Sequence, residues 1–140
     1  MYTIDKSDVV FENGKRIHFN GIEIKYPTEI NGYLIFIAWG SGDYNNNVFG
    51  IDLSNQSVAW QIKNPKKFTK EMRETGERIM QHLQDPTLAK YYTELRCPFT
   101  DIYFGKNDNI LYIRNLCNFA VTVNEKTGEV LQFVQLNDFK

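Results

Sequence analysis

Two carboxylates at strand-like ends (Asp52 and Asp101), two cysteines (Cys97 and Cys117) and two histidines (His18 and His82) are the side chains whose types could carry catalysis or hold a metal. Their spacing argues against both. A zinc site wants tight Cys or His pairs at each end, and the chain has no CxxC and no histidine close to either cysteine. His18 falls in an alternating stretch and His82 in a helical one, as structural or surface histidines do. Asp52 and Asp101 have no partner identifiable along the chain and read as structural carboxylates. Gly40-Ser-Gly-Asp43 is glycine-rich, but it lacks a lysine and opens no helix, so it is not a phosphate cradle. GxSxG, HExxH, GxxxxGK and GxGxxG are all absent from the sequence. The expectation is a chain with no catalytic residue, no cofactor and no metal ligand, and hence no enzyme.

The bulk properties fit that expectation. With 140 residues, 42% hydrophobic and 24% charged, the chain is long enough for one domain that buries its own core without disulfides. A net charge of -1 provides no global field for nucleic acid or an anionic membrane. The longest apolar run, Tyr33 to Trp39, is far short of the roughly 18 residues of a spanning helix. The N-terminus, Met-Tyr-Thr-Ile-Asp-Lys, lacks the basic start and apolar stretch of a secretion signal, so a soluble, cytoplasmic protein is expected. In that compartment Cys97 and Cys117 should be two reduced, independent thiols. Lys63, Lys66, Lys67 and Lys70 make the one basic cluster, diluted by Glu71, Glu74 and Glu77, and read as a solvated helix start.

Periodicity divides the chain. Val9–Phe11 and Arg16–Phe19 flank an Asn-Gly turn, as an N-terminal hairpin within residues 1–20. Ile22–Tyr26 alternates with period two until Pro27, and Tyr33–Trp39 reads as a central strand buried on both faces. Val48–Leu53 and Val58–Lys63 complete a β region over 21–64. Asn64-Pro65 then starts a helical insert over 65–96, with Phe68, Met72, Thr75, Ile79 and Leu83 as an apolar stripe and Glu74–Arg78 as a solvated pair. A second helix is expected from Asp85-Pro86, carrying Leu88, Tyr91, Tyr92 and Leu95. Strands return over 97–140: Asp101–Phe104, Asn109–Arg114, Phe119–Val123 and Val130–Leu136.

The two β regions can be laid on each other. With a shift of 72, Ile51–Trp60 falls on Val123–Gln132 without a gap; upstream, Leu34-Ile-Phe-Ile answers Leu111-Tyr-Ile-Arg, and Ile22-Glu-Ile-Lys answers Asp101-Ile-Tyr-Phe. Each copy reads as four short antiparallel strands joined by tight turns. The phrases FGIDLSNQSVAW and AVTVNEKTGEVLQF resemble the repeat of quinoprotein-type β-propellers, with Asn124 at the Asp52 position and Gln132 where Trp60 stands. That resemblance implies a mainly β (α+β) fold of two four-stranded blade-like sheets, half-propeller-like, with the helical insert between them. It does not bring the quinoprotein cofactor, whose site needs a closed ring of blades.

A short, near-neutral, aromatic-rich chain without a catalytic motif works through its surface. The loop Gly40–Asn47 is longer than its counterpart after Arg114. Trp39, Asp43, Tyr44, Asn45 and Asn46, in or beside it, are the expected partner-binding residues. In overall type the chain resembles the immunity proteins of bacterial contact-dependent inhibition and polymorphic toxin systems. The resemblance implies a monomeric cytoplasmic inhibitor that binds a cognate protein toxin domain. The alternative is an adaptor or subunit that completes a larger propeller-like assembly.

Overall fold

The computed structural model describes residues 1–82 and 96–136. Among the described residues, eleven strands form three antiparallel sheets. The N-terminal sheet is β1 (Tyr2–Asp5), β2 (Asp8–Phe11) and β3 (Arg16–His18), in that order. The middle sheet runs β4 (Glu23–Ile30), β5 (Tyr33–Trp39), β6 (Val48–Asp52), β7 (Ser57–Gln61), and the C-terminal sheet β8 (Phe99–Phe104), β9 (Leu111–Asn115), β10 (Phe119–Val123), β11 (Val130–Gln135). Both four-stranded sheets expected from the repeat are present. The N-terminal hairpin gains β1 and becomes a third sheet. That strand is only four residues long, and the turn after it uses Lys6 at φ 52°, a residue carrying no turn signal.

Packing follows from alternation on β5. Leu34, Phe36 and Ala38 face Val9 and Phe11 of the N-terminal sheet, whereas Ile35 and Ile37 face Phe99, Ile113, Phe119 and Val121 of the C-terminal sheet. The middle sheet therefore has a core on each side, which is why its central strand is apolar at every position. Proline does not end β4, contrary to the sequence reading. The strand continues through Pro27 by a bulge, with Tyr26 at φ 53°, because an edge strand can lose an N–H without losing a ladder bond.

The two overlaid regions match at the level of single backbone pairs. Gly50 pairs with Trp60, Ile51 with Val58, and the register slips between Gly50 and Ile51. Seventy-two residues on, Thr122 pairs with Gln132, Val123 with Val130, and the register slips between Thr122 and Val123. The second-strand match also holds, Phe36↔Phe49 answering Ile113↔Val121 and Ile37↔Val48 answering Arg114↔Ala120. The first-strand match needs correction. Lys25 pairs with Ile37 and Asp101 with Arg114, so Lys25 corresponds to Asp101 and not to Phe104. β4 and β8 each carry a one-residue bulge, but after Lys25 in one and before Asp101 in the other, and an ungapped overlay cannot carry that difference in position.

Helix α1 (Lys66–His82) opens after Asn64-Pro65 as expected. Phe68 and Met72 are buried in the core between the middle and C-terminal sheets, Phe68 lying 5.6 Å from the Phe119 ring and 4.8 Å from Phe133. On the solvated side Glu74 is reached by Lys70 at 4.0 Å, while Arg78 donates to Thr75 Oγ1 at 3.0 Å in place of the expected Glu74 pair. Leu83 and the expected second helix lie outside the described residues.

The cysteine expectation is overturned. Cys97 and Cys117 form a disulfide, with Cα atoms 5.4 Å apart and both side chains buried. Cys97 precedes β8 and Cys117 sits in the β9–β10 turn. Antiparallel pairing of β8 with β9, Phe99 opposite Asn115, brings the two positions together. Sequence spacing alone did not reveal this.

Candidate functional site

The loop between β5 and β6 begins where the chain leaves the sheet at Trp39. Gly40 at φ 91° makes the turn, and a Cβ there would lie 3.2 Å from the Gly21 carbonyl oxygen. Tyr44–Asn46 then form one 3₁₀ turn, started by an Asn46 N–H bond to the Asp43 carbonyl at 3.3 Å. The three asparagines that follow are structural. Asn45 Oδ1 accepts from the Cys97 amide at 2.9 Å, and Asn46 Oδ1 accepts from the Asn64 amide at 3.0 Å. Asn47 brackets the Phe99 backbone, accepting its N–H at 2.8 Å and donating to its carbonyl at 3.0 Å. Asn64 Nδ2 donates to the Asn45 carbonyl at 2.7 Å.

These bonds explain the length of the loop. Asn64 precedes the helical insert and Cys97 follows it, so the loop ties together the two points where the insert leaves and rejoins the sheets. The sequence reading gave the extra residues no packing role; they have one. Asp43 accepts from Asn46 Nδ2 at 3.2 Å and so supports the same turn. Of the expected partner-binding residues, Asn45, Asn46 and Asp43 thus have internal partners. Trp39 is 52% exposed, a large apolar surface on a strand end. It lines a groove of about 390 Å³ with Ala38, Gly40, Ser41, Gly42, Asn47 and Pro98. A rigid aromatic beside a groove whose rim is fixed by hydrogen bonds is the composition of an interface anchor.

The other candidates from the sequence have local roles. Asp52 Oδ1 accepts from the Ser54 and Asn55 amides at 2.9 and 3.2 Å, and its counterpart Asn124 accepts from the Lys126 amide at 2.9 Å, the same turn in both repeats. Asp101 makes a two-point ion pair with Arg114, both contacts at 3.2 Å. His18 and Arg16 both bond Asp8, and those hydrogen bonds hold its carboxyl below the ordinary range. Among the described residues no group of three His, Cys, Asp or Glu side chains could hold a metal ion, and no helix is long and apolar enough to cross a membrane.

One titration is directly testable. The Tyr112 hydroxyl donates to Asp108 at 2.7 Å; this bond raises the Tyr112 pKa and, with one from the Ile110 amide, lowers that of Asp108. A depressed folded-state pKa stabilises the fold above the unfolded carboxylate value of about 3.9, and the contribution disappears as pH falls through the folded value. Carboxyl NMR titration should therefore place Asp108 below ordinary aspartates, and Tyr112→Phe should move it back up. An unchanged Asp108 titration in that variant would exclude the hydroxyl as the cause.

Sequence reasoning did not find the surface formed by β11 and the start of α1. Leu131 is 57% and Val134 50% exposed, and they share a groove with Pro65, Lys67 and Tyr112. The repeat overlay held the signal: Val134 and Tyr112 stand where Ile62 and Ile35 of the middle sheet are buried against the C-terminal sheet. Compared with protein-family models, curated proteins and solved structures, the chain matches none.

Proposed function

We propose that this chain is a non-catalytic protein-binding domain, an immunity protein that neutralises a cognate bacterial toxin by direct binding. The observation that carries the reading is Trp39, exposed beside a groove whose rim is held by the Asn45–Asn47 bonds. A pre-set rim lowers the ordering cost of association, and tryptophan is a frequent interface anchor. The side chains that usually attract catalytic roles serve turns and ion pairs instead. The cytoplasmic location belongs to this proposal, and the Cys97–Cys117 disulfide counts against it, because thiols in that compartment are kept reduced.

Trp39→Ala is the appropriate variant, because Asp43 and the asparagines cannot be changed without loosening the loop. Affinity for the toxin domain should fall at least tenfold, about 1.4 kcal/mol, while thermal stability stays within a degree or two. Unchanged affinity would remove the Trp39 groove from the interface. The second reading, a subunit that completes a larger propeller-like assembly, draws on the outer face of the C-terminal sheet. There Tyr112, Arg114, Ala120, Thr122, Gln132 and Val134 occupy the register positions by which the middle sheet packs on its neighbour. Sedimentation distinguishes the two: a monomer favours the inhibitor and self-association the subunit.

A further inference from the structure

We propose that the free edge of β11 is a docking site for an extended acidic segment of a partner protein, added as a fifth strand. Six strands lie at sheet edges: β1, β3, β4, β7, β8 and β11. Natural edges are protected by charge, proline or cover. β1 carries Asp5, β3 carries Arg16 and His18, β4 has Glu23, Lys25, Pro27 and Glu29, and β8 has Asp101. β7 has no charge, but its Trp60 donates to the Glu125 carbonyl at 2.7 Å and packs on Gly128, so the β10–β11 turn lies against it. β11, Val-Leu-Gln-Phe-Val-Gln, has neither charge nor proline, and among the described residues no strand pairs its outer side.

The direction of its amides follows from the ladder. The Leu136 N–H donates to the Asn118 carbonyl, and Val134 pairs with Ala120, so the groups of Phe133 and Gln135 point to the free edge. Beside that edge the charge is mainly basic, with Glu129 the acidic residue that lines a groove with Lys63 and Lys66. Residues 63–73 hold Lys63, Lys66, Lys67, Lys70 and Arg73 against Glu71 alone. Lys70 meets Glu74, whereas Lys63, Lys66, Lys67 and Arg73 have no ion-pair partner among the described residues. The first turn of α1 contains no acidic residue, so these cations add to the positive end of the helix dipole where carboxylates would stabilise it. Lys67 lines the same groove as Val130–Val134. An added strand would satisfy the edge amides, cover Leu131 and Val134, and set its acidic side chains against the lysines. Exposed aliphatics beside the basic patch favour a polypeptide, since nucleic acid would leave them uncovered. This site is independent of the Trp39 groove.

The test is titration of the ¹⁵N-labelled chain with an acetylated, amidated peptide of alternating glutamate and valine, beside its lysine–valine counterpart. The glutamate peptide should shift the amides of β11 and of residues 63–73. Binding should weaken about tenfold in the Lys63→Glu/Lys67→Glu pair and in Gln135→Pro, which removes one outward donor and no ladder bond, but not in Gln135→Ala. Should Gln135→Pro fail to fold, the lysine pair decides. Equal binding of the lysine peptide, or full binding by both the lysine pair and Gln135→Pro, would overturn the proposal. So would an oligothymidylate that binds more tightly than the peptide, or a dimer dispersed by Gln135→Pro, which would make a second copy the occupant.

Discussion

Phe68→Ala should destabilise the protein by about 3–5 kcal/mol in chemical denaturation. Its ring is fully buried, stands edge-on to Phe119 and against Phe133, and ties the start of the helical insert to the core between two sheets. Truncation removes apolar area and leaves a cavity walled by a helix and two sheets, none of which can collapse without breaking strand pairing. Met72, one turn on, is buried in the same core and should give a smaller loss. A Phe68→Ala protein as stable as the parent would mean that the insert is an arm and not part of the core.

The second large effect belongs to the disulfide. Reducing Cys97–Cys117, or replacing both residues with serine, should lower stability by about 3 kcal/mol from chain-entropy considerations, because the bond closes a loop with a sequence separation of 20. Serine adds the cost of a hydroxyl in an apolar site, so an alanine pair is the better measure of the cross-link itself. Denaturation with and without reductant gives the comparison, and thiol labelling of the unfolded, unreduced protein should find none free. Two free thiols with unchanged stability under oxidising conditions would show that the bond does not form.

What the sequence made legible follows from how local each signal is. The overlay of Ile51–Trp60 on Val123–Gln132 anticipated two matching strand pairs, because hydrophobic alternation and turn chemistry both act within ten residues or so; the bulge at the equivalent position in each was seen only in the structure. The helix start at Asn64-Pro65 was readable for the same reason. The disulfide was not, since β8–β9 pairing creates it and no local pattern encodes the distance. The three asparagines after Tyr44 looked like free hydrogen-bonding groups for a partner. Their bonds instead reach residues up to 52 positions away, at Cys97 and Phe99, which composition cannot show. Trp39 was singled out for its residue type and position at a loop edge, and its exposure on the folded chain gives that choice physical content.

The most direct measurement for the proposed inhibitor reading is to express the product of the adjacent reading frame, assay it for toxicity, and titrate the purified chain into it by calorimetry with inhibition followed in parallel. The expected result is saturable one-to-one binding that abolishes toxicity, lost at least tenfold in Trp39→Ala. Absence of heat and of protection, with a correctly folded chain, would contradict it.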